Sequence, residues 1–222
     1  MVELTTTIVA SASAELEKQN AGTNYGAKTT LRCGAQSTPA NIKRGIVRFE
    51  VPELAGPIVS AKFRVYKASE SVHASLKGLL AAVYICDSPQ DDMWIQGTGN
   101  PSTTTPGVTW NVYTAGQNWG TAGGDMADDP FLIQDLEGVT GWVDMPIVLD
   151  NITFEELKTY SFFFRETQEE EAEGANWSHW YQLRSAEYAS YEPRLILTID
   201  AGNVASPVSG SAQAVDSTQL DL

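Results

Sequence analysis

A chain of 222 residues that is 42% hydrophobic and 9% aromatic is long and apolar enough to bury a substantial core, which excludes bulk disorder. Its 28 acids against 14 Lys and Arg leave a net charge of −14. That excludes unassisted binding to nucleic acid or anionic lipid, because phosphate binding needs a clustered cationic surface.

Met1 to Ala10 has no basic segment followed by an apolar run, so no secretory leader is expected. No stretch approaches the roughly 18 apolar residues a bilayer crossing requires. Ala14 to Gln19 has helix-forming composition, and Leu31-Arg32-Cys33 is strand-like. Ile46 to Val51 alternates Arg48 and Glu50 with Val47, Phe49 and Val51, the period of a strand with one wet face. Lys62 to Tyr66 repeats it, with Phe63 and Val65 inward. Leu79 to Cys86 is a nearly continuous apolar run, which suits a central strand. Cys33 and Cys86 are too few for a disulfide framework, and their apolar settings suit buried thiols, although one bridge between them stays open.

From Asp87 to about Trp142 the chain turns Gly-, Thr- and Asp-rich while carrying Trp94, Trp110, Trp119 and Trp142. A loop of that length is either functional or packed by its own side chains. Pro146 to Leu149, Tyr160 to Arg165, Trp180 to Leu183 and Arg194 to Ile199 read as further strands. Between them Thr153 to Leu157 fits one helical turn capped by Thr153 and Glu156. Residues 201–222 are Ser-, Ala-, Gly- and Gln-rich, with Val204, Val208, Val215, Leu220 and Leu222 as the sizeable apolar groups. Such an arm cannot offset its own ordering entropy, so a neighbouring subunit or partner is expected to hold it.

The order of motifs resembles the DNRLRE-type domains, relatives of a carbohydrate-binding module family. It starts with Thr23-Asn24-Tyr25-Gly26 and Leu31-Arg32, followed by Arg44 to Glu50 and then Ile58 to Tyr66. Trp94, Val108-Thr109-Trp110-Asn111, Trp119 and Gly123-Gly124-Asp125 come next, and the close is Arg184 to Glu187 with Glu192-Pro193-Arg194-Leu195. The resemblance spans roughly residues 12 to 200 and implies a jelly-roll β-sandwich of antiparallel strands over 1–200, with the arm over 201–222. Ala14 to Gln19 stands where that family has a strand and is read as extended for that reason, against its composition. The acidic residue usual near the first strand is Ser13 here and the Arg of the closing motif is Ala186, so no ion or ligand role is carried over onto those positions. On its own residues, Asn24 suits either a turn with positive φ or a side-chain-to-backbone bond, and Glu187 is expected to pair with Arg32 or Arg48.

Catalysis finds little footing. The two histidines are His73 and His179, and no Gly-x-Ser-x-Gly or His-Glu-x-x-His motif occurs. Glu169, Glu170, Glu171 and Glu173 read as a solvated acidic run in a loop. Between Lys77 and Lys158 there is no Lys or Arg, and Asp87, Asp91, Asp92, Asp125, Asp128 and Asp129 supply oxygens for a candidate Ca²⁺ site. Trp110, Asn111, Tyr113, Asn118 and Trp119 have the aromatic-plus-amide chemistry of a sugar site, against the simpler role of pinning the loop. A free-standing relative with an arm suggests a phage virion subunit (head decoration, fibre or tail-associated). It would sit on the particle surface and assemble with itself or other virion proteins through the arm and sheet edges. The alternative is an extracellular or cell-surface carbohydrate-binding module; on either reading the protein is non-catalytic, with no nucleic-acid or membrane partner.

Overall fold

The computed structural model describes residues 2–37, 40–86, 93–104 and 106–202. Those residues build an all-β sandwich in which every strand pairing is antiparallel. In chain order the strands are β1 (Glu3–Val9), β2 (Ala12–Glu17), β3 (Thr30–Ser37), β4 (Ala40–Glu50), β5 (Ile58–Ser71) and β6 (Leu80–Ile85). They continue with β7 (Val112–Thr114), β8 (Gln117–Asn118), β9 (Leu132–Asp135), β10 (Gly141–Ile147), β11 (Thr159–Glu166), β12 (His179–Arg184) and β13 (Arg194–Asp200). One short helix, α1 (Glu169–Gly174), and a 3-10 turn at Leu149–Asn151 complete the elements.

A single curled sheet runs β1-β13-β5-β12-β3-β4-β11-β6-β9, with β10 on the other side of β5 and β2 on β4. The 14-residue β5 makes this possible. Its first half pairs with β13, its second half with β12, and β10 lies along the opposite edge. β12 and β13 therefore form one broken line beside β5, and residues 185–193 bulge out of the break. β4 bridges in the same way, taking β3 at its start, β2 in its middle and β11 towards its end.

The core between the layers follows the period of 2. Ala61, Phe63 and Val65 of β5 face Val47 and Phe49 of β4 and Phe162 and Phe164 of β11, with Phe63 and Phe162 edge to face at 4.9 Å. The other faces of β4 and β11 are buried too: Ile42, Ile46 and Phe163 join Ala12, Ala14 and Leu16 of β2 in a second apolar cluster. Burial on both faces explains the Phe162-Phe163-Phe164 run, in which alternation disappears because neither side is wet. Cys33 and Cys86 are both buried free thiols.

Several elements differ from expectation. Thr153 to Leu157 is not helical, and the turn sits earlier, at Leu149–Asn151. The strand placed at Pro146 to Leu149 is the end of β10, which begins at Gly141. Pro146 is tolerated because β10 pairs only with β5, so the missing N–H can lie on its free edge. The irregular span also contains β9, paired with β6. The Glu169 run is α1, whose first residue is fully buried.

Candidate functional site

The Thr23-Asn24-Tyr25-Gly26 motif is a structural clamp. Asn24 is completely buried, and its Nδ2 donates to the carbonyls of Gln96 at 2.7 Å and Val108 at 2.8 Å. Its Oδ1 accepts from the N–H groups of Gly26 at 3.3 Å and Gly99 at 2.8 Å. Of the two roles open to Asn24 in the sequence, the side-chain-to-backbone bond is the one used. A Cβ on Gly26 would stand 2.0 Å from the Gln96 carbonyl oxygen, so that position admits only glycine without rearrangement.

The two departures from the motif pattern meet in space: the Ala186 N–H donates to Ser13 Oγ at 2.9 Å. Gln96 Oε1 accepts from the Ser13 N–H at 3.0 Å, and its Nε2 donates to the Gly26 carbonyl at 2.7 Å and to Glu187 at 2.5 Å. Glu187 thus takes a neutral amide partner in place of the expected Arg32 or Arg48. Those two guanidiniums lie instead over Trp180 at 4.3 Å and Trp94 at 4.4 Å.

The candidate sugar residues separate by exposure. Trp110, Tyr113 and Trp119 are only 7%, 6% and 5% exposed and pack, with Trp94 and Val108, onto Ile42, Ile46 and Phe163. Trp119 donates its indole N–H to the Thr109 carbonyl and stands edge-on to Phe163 at 5.7 Å. These rings pin residues 94–104 and 106–126 to the sheet and present no open platform; Asn111 and Asn118 alone of the set face solvent. Burial at this density is the ordinary fate of large apolar groups on a chain that must cover a sheet face.

The Asp125, Asp128 and Asp129 set does not converge. Asp125 accepts from the N–H groups of Gly120 at 2.9 Å and Thr121 at 2.6 Å, while Asp128 and Asp129 point to solvent. Among the described residues no three His, Cys, Asp or Glu side chains come together as a cation site. Asp87, Asp91 and Asp92 lie outside the described residues, as do the arm residues Val204, Val208, Val215, Leu220 and Leu222.

Buried ionic groups are structural. Glu169 Oε1 accepts from Arg44 Nε at 2.9 Å and is ion-paired with Arg165, whose Nε stands 2.8 Å away. Burial pushes its carboxyl up to about 7, against the pull of those guanidiniums. His179 and Glu166 face each other at 3.6 Å, both wholly inaccessible. The His73 N–H donates to His179 Nδ1, which leaves Nε2 to carry the ring proton toward Glu166. No substrate reaches that pair. Glu15 and Glu17 of β2 are buried with Lys43 between them, at 3.5 and 3.3 Å, and Lys28 closes on Glu15 at 2.6 Å. Lys67 is fully buried, its ammonium held by the carbonyls of Leu136 at 2.5 Å and Val139 at 2.6 Å and by Glu70.

One surface was not visible in the sequence. On the outward side of β10 and β5, Trp142 sits opposite Tyr66 in register, 39% exposed. Tyr191, from the bulge between β12 and β13, packs on both, at 4.3 Å from Tyr66 and 5.9 Å from Trp142, and Tyr188 adjoins it at 5.5 Å. Arg194 lies over Trp142 at 4.8 Å and Arg184 over Tyr188 at 4.0 Å. Neither guanidinium makes a hydrogen bond or ion pair among the described residues, and the Nε of each is buried without a partner. The neighbouring Arg64 is committed: it forks onto Asp144 at 2.6 and 2.8 Å, and that hydrogen bonding holds the Asp144 carboxyl well below the usual range. A two-residue register, Trp142 with Tyr66 and Asp144 with Arg64, could have flagged the face had β10 been placed correctly.

No curated protein matches the chain. Residues 5–113 match the model of carbohydrate-binding module family 96, which makes that stretch carbohydrate-binding-module-like.

Proposed function

We propose that this protein is a non-catalytic carbohydrate-binding module, acting outside the cell or at a cell surface. The observation that carries the reading is the match of residues 5–113 to a carbohydrate-binding family. It is supported by a fold whose strands are fixed by packing and whose buried carboxylates Glu15, Glu17 and Glu169 are spent on internal pairing. The Glu169 run that might have supplied a catalytic carboxylate is tied to Arg44 and Arg165, and a glycosidase needs two carboxylates facing each other across an open cleft. Residues 1–200 would form the binding unit, with 201–222 as an appended arm. The virion subunit, which the sequence put first, draws no support from the family match, and the apolar residues of its assembly arm lie outside the described residues.

The test is affinity electrophoresis of the full chain through gels cast with a panel of neutral and uronate-containing polysaccharides. Retardation by at least one of them, with no release of reducing ends on incubation, is the expected result. Unretarded migration in every gel overturns the reading.

A further inference from the structure

We infer that the sugar contact is made by the outward face of β5 and β10, with Trp142 as its stacking surface and Arg194 and Arg184 as its hydrogen-bond donors. The inference rests on the carbohydrate-binding reading and places the site where the sequence did not.

Three observations converge on this face. First, a pyranose presents one or both faces as a row of C–H groups, and these stack on an aromatic ring left open to solvent. Trp142, at 39%, is the most exposed of the tryptophans; Tyr66 meets its edge, Tyr191 stacks on it and Arg194 lies over it, so what a sugar can reach is the part of the ring these three leave open. A ring fixed by two others loses little freedom when a sugar lands on it, which favours binding. Second, among the described residues Arg184 and Arg194 are cations without anions, in a chain of net charge −14. Arg64 and Lys62, on the same face, share Asp144, so the availability of acids does not explain why the other two stay unpaired. Their guanidinium donors lie beside the aromatic rings, where a sugar's hydroxyl or ring oxygens would come to rest. Third, the bulge of residues 185–193 brings Tyr188 and Tyr191 onto the outward face of the sheet. The start of the bulge is held by Ser13, Lys28 and Gln96, while its two tyrosines turn the other way, onto Tyr66, Trp142 and Arg184.

The occupant is therefore a polysaccharide segment lying across β10 and β5, one pyranose ring against the open part of Trp142 beside Arg194, its oxygens toward that guanidinium. Only Tyr66 of this set falls inside the stretch that matches the carbohydrate-binding family. The second half of the chain thus supplies most of the contact surface.

The experiment uses the full chain and the polysaccharides that retard it. Trp142→Ala should cut the association constant about tenfold or more, the scale of one lost aromatic stack. Trp142→Phe should recover part of it, and Arg194→Gln should weaken binding several-fold while leaving the thermal midpoint unchanged. Asn118→Ala, on the earlier candidate loop, should bind as the parent does. Parent-like retention of Trp142→Ala, with the parent itself retained, overturns this placement and leaves the carbohydrate reading standing. A parent that binds no polysaccharide overturns both. If Trp142→Ala alters the oligomeric state in sizing and leaves glycan retention intact, the face is a protein contact and the placement falls.

Discussion

Replacing Asn24 with Asp changes no volume and almost no shape, so its effect isolates hydrogen-bond polarity at a fully buried position. The Asn Nδ2 donates to two carbonyls, at 2.7 and 2.8 Å. An aspartate there cannot donate to either, and its carboxylate would face both oxygens. The only tolerable form is the neutral acid, which satisfies one carbonyl and orphans the other at a cost of about 1–3 kcal/mol. Keeping a carboxyl neutral at pH 7, about three units above its ordinary pKa, costs about 4 kcal/mol more. The variant should therefore lose about 5 kcal/mol or more at pH 7, a large part of the stability of an ordinary domain. Near pH 4 the protonation cost vanishes and only the orphaned carbonyl remains. The folded-state pKa is raised, so the native form binds the extra proton and stability falls as pH rises through the carboxylate range. Urea unfolding followed by tryptophan fluorescence, on parent, Asn24→Asp and Asn24→Ala at both pH values, reads this directly. An Asn24→Asp penalty that is small, or the same at pH 4 and pH 7, would refute the clamp; Asn24→Ala should show a penalty without the pH dependence.

Lys67→Met should be destabilised by about 3 kcal/mol in the same assay, because it leaves the Leu136 and Val139 carbonyls without their buried donor. Restoration of parent stability by the methionine would mean that those carbonyls are solvated. Glu169 binds a proton more tightly folded than unfolded, so its contribution falls as pH rises between 4.5 and about 7. Glu169→Gln should flatten that part of the stability-versus-pH curve relative to the parent, and an unchanged slope would assign the proton elsewhere.

Strands were legible where their chemistry alternates: Arg48 and Glu50 against Val47 and Phe49 sufficed to place β4 and one inward side, although the expected wet face is covered along most of the strand by the cluster of Ile42 and Ile46. The core residues Phe63 and Val65 followed from β5 in the same way. Other elements were silent for identifiable reasons. β1 is a Thr-rich edge strand whose Ile8 is its only buried side chain, so it carries almost no period. β9 is four residues long and was hidden among turn-forming neighbours. Pro146 and Asp144 masked β10, because one lacks an N–H and the other is a poor strand former. The buried charges of Glu15, Glu17 and Glu169 could not be read from sequence, since acids look solvated until the cations that hold them are placed. For Trp110 and Trp119 the loop-pinning role was one of the two readings the sequence offered and is the one used, whereas the outward direction of Trp142 was not foreseen. Trp110 and Trp119 turn inward because the outer face of β4 and β11 needs covering, and Trp142 stays outward because its strand neighbours already fill the core.

The pairing of β1 with β13 has a mechanical side. Glu3 stands opposite Asp200, and the Ala201 N–H still reaches the Val2 carbonyl. Residues 2 and 202 thus leave the sandwich side by side, about 5 Å apart. Tension between them would load the ladder one rung at a time and peel β1 away, where ends leaving at opposite poles would shear all rungs together. Held by both ends, the molecule would yield gently at β1 while β5, flanked by strands on both sides, kept the aromatic face intact.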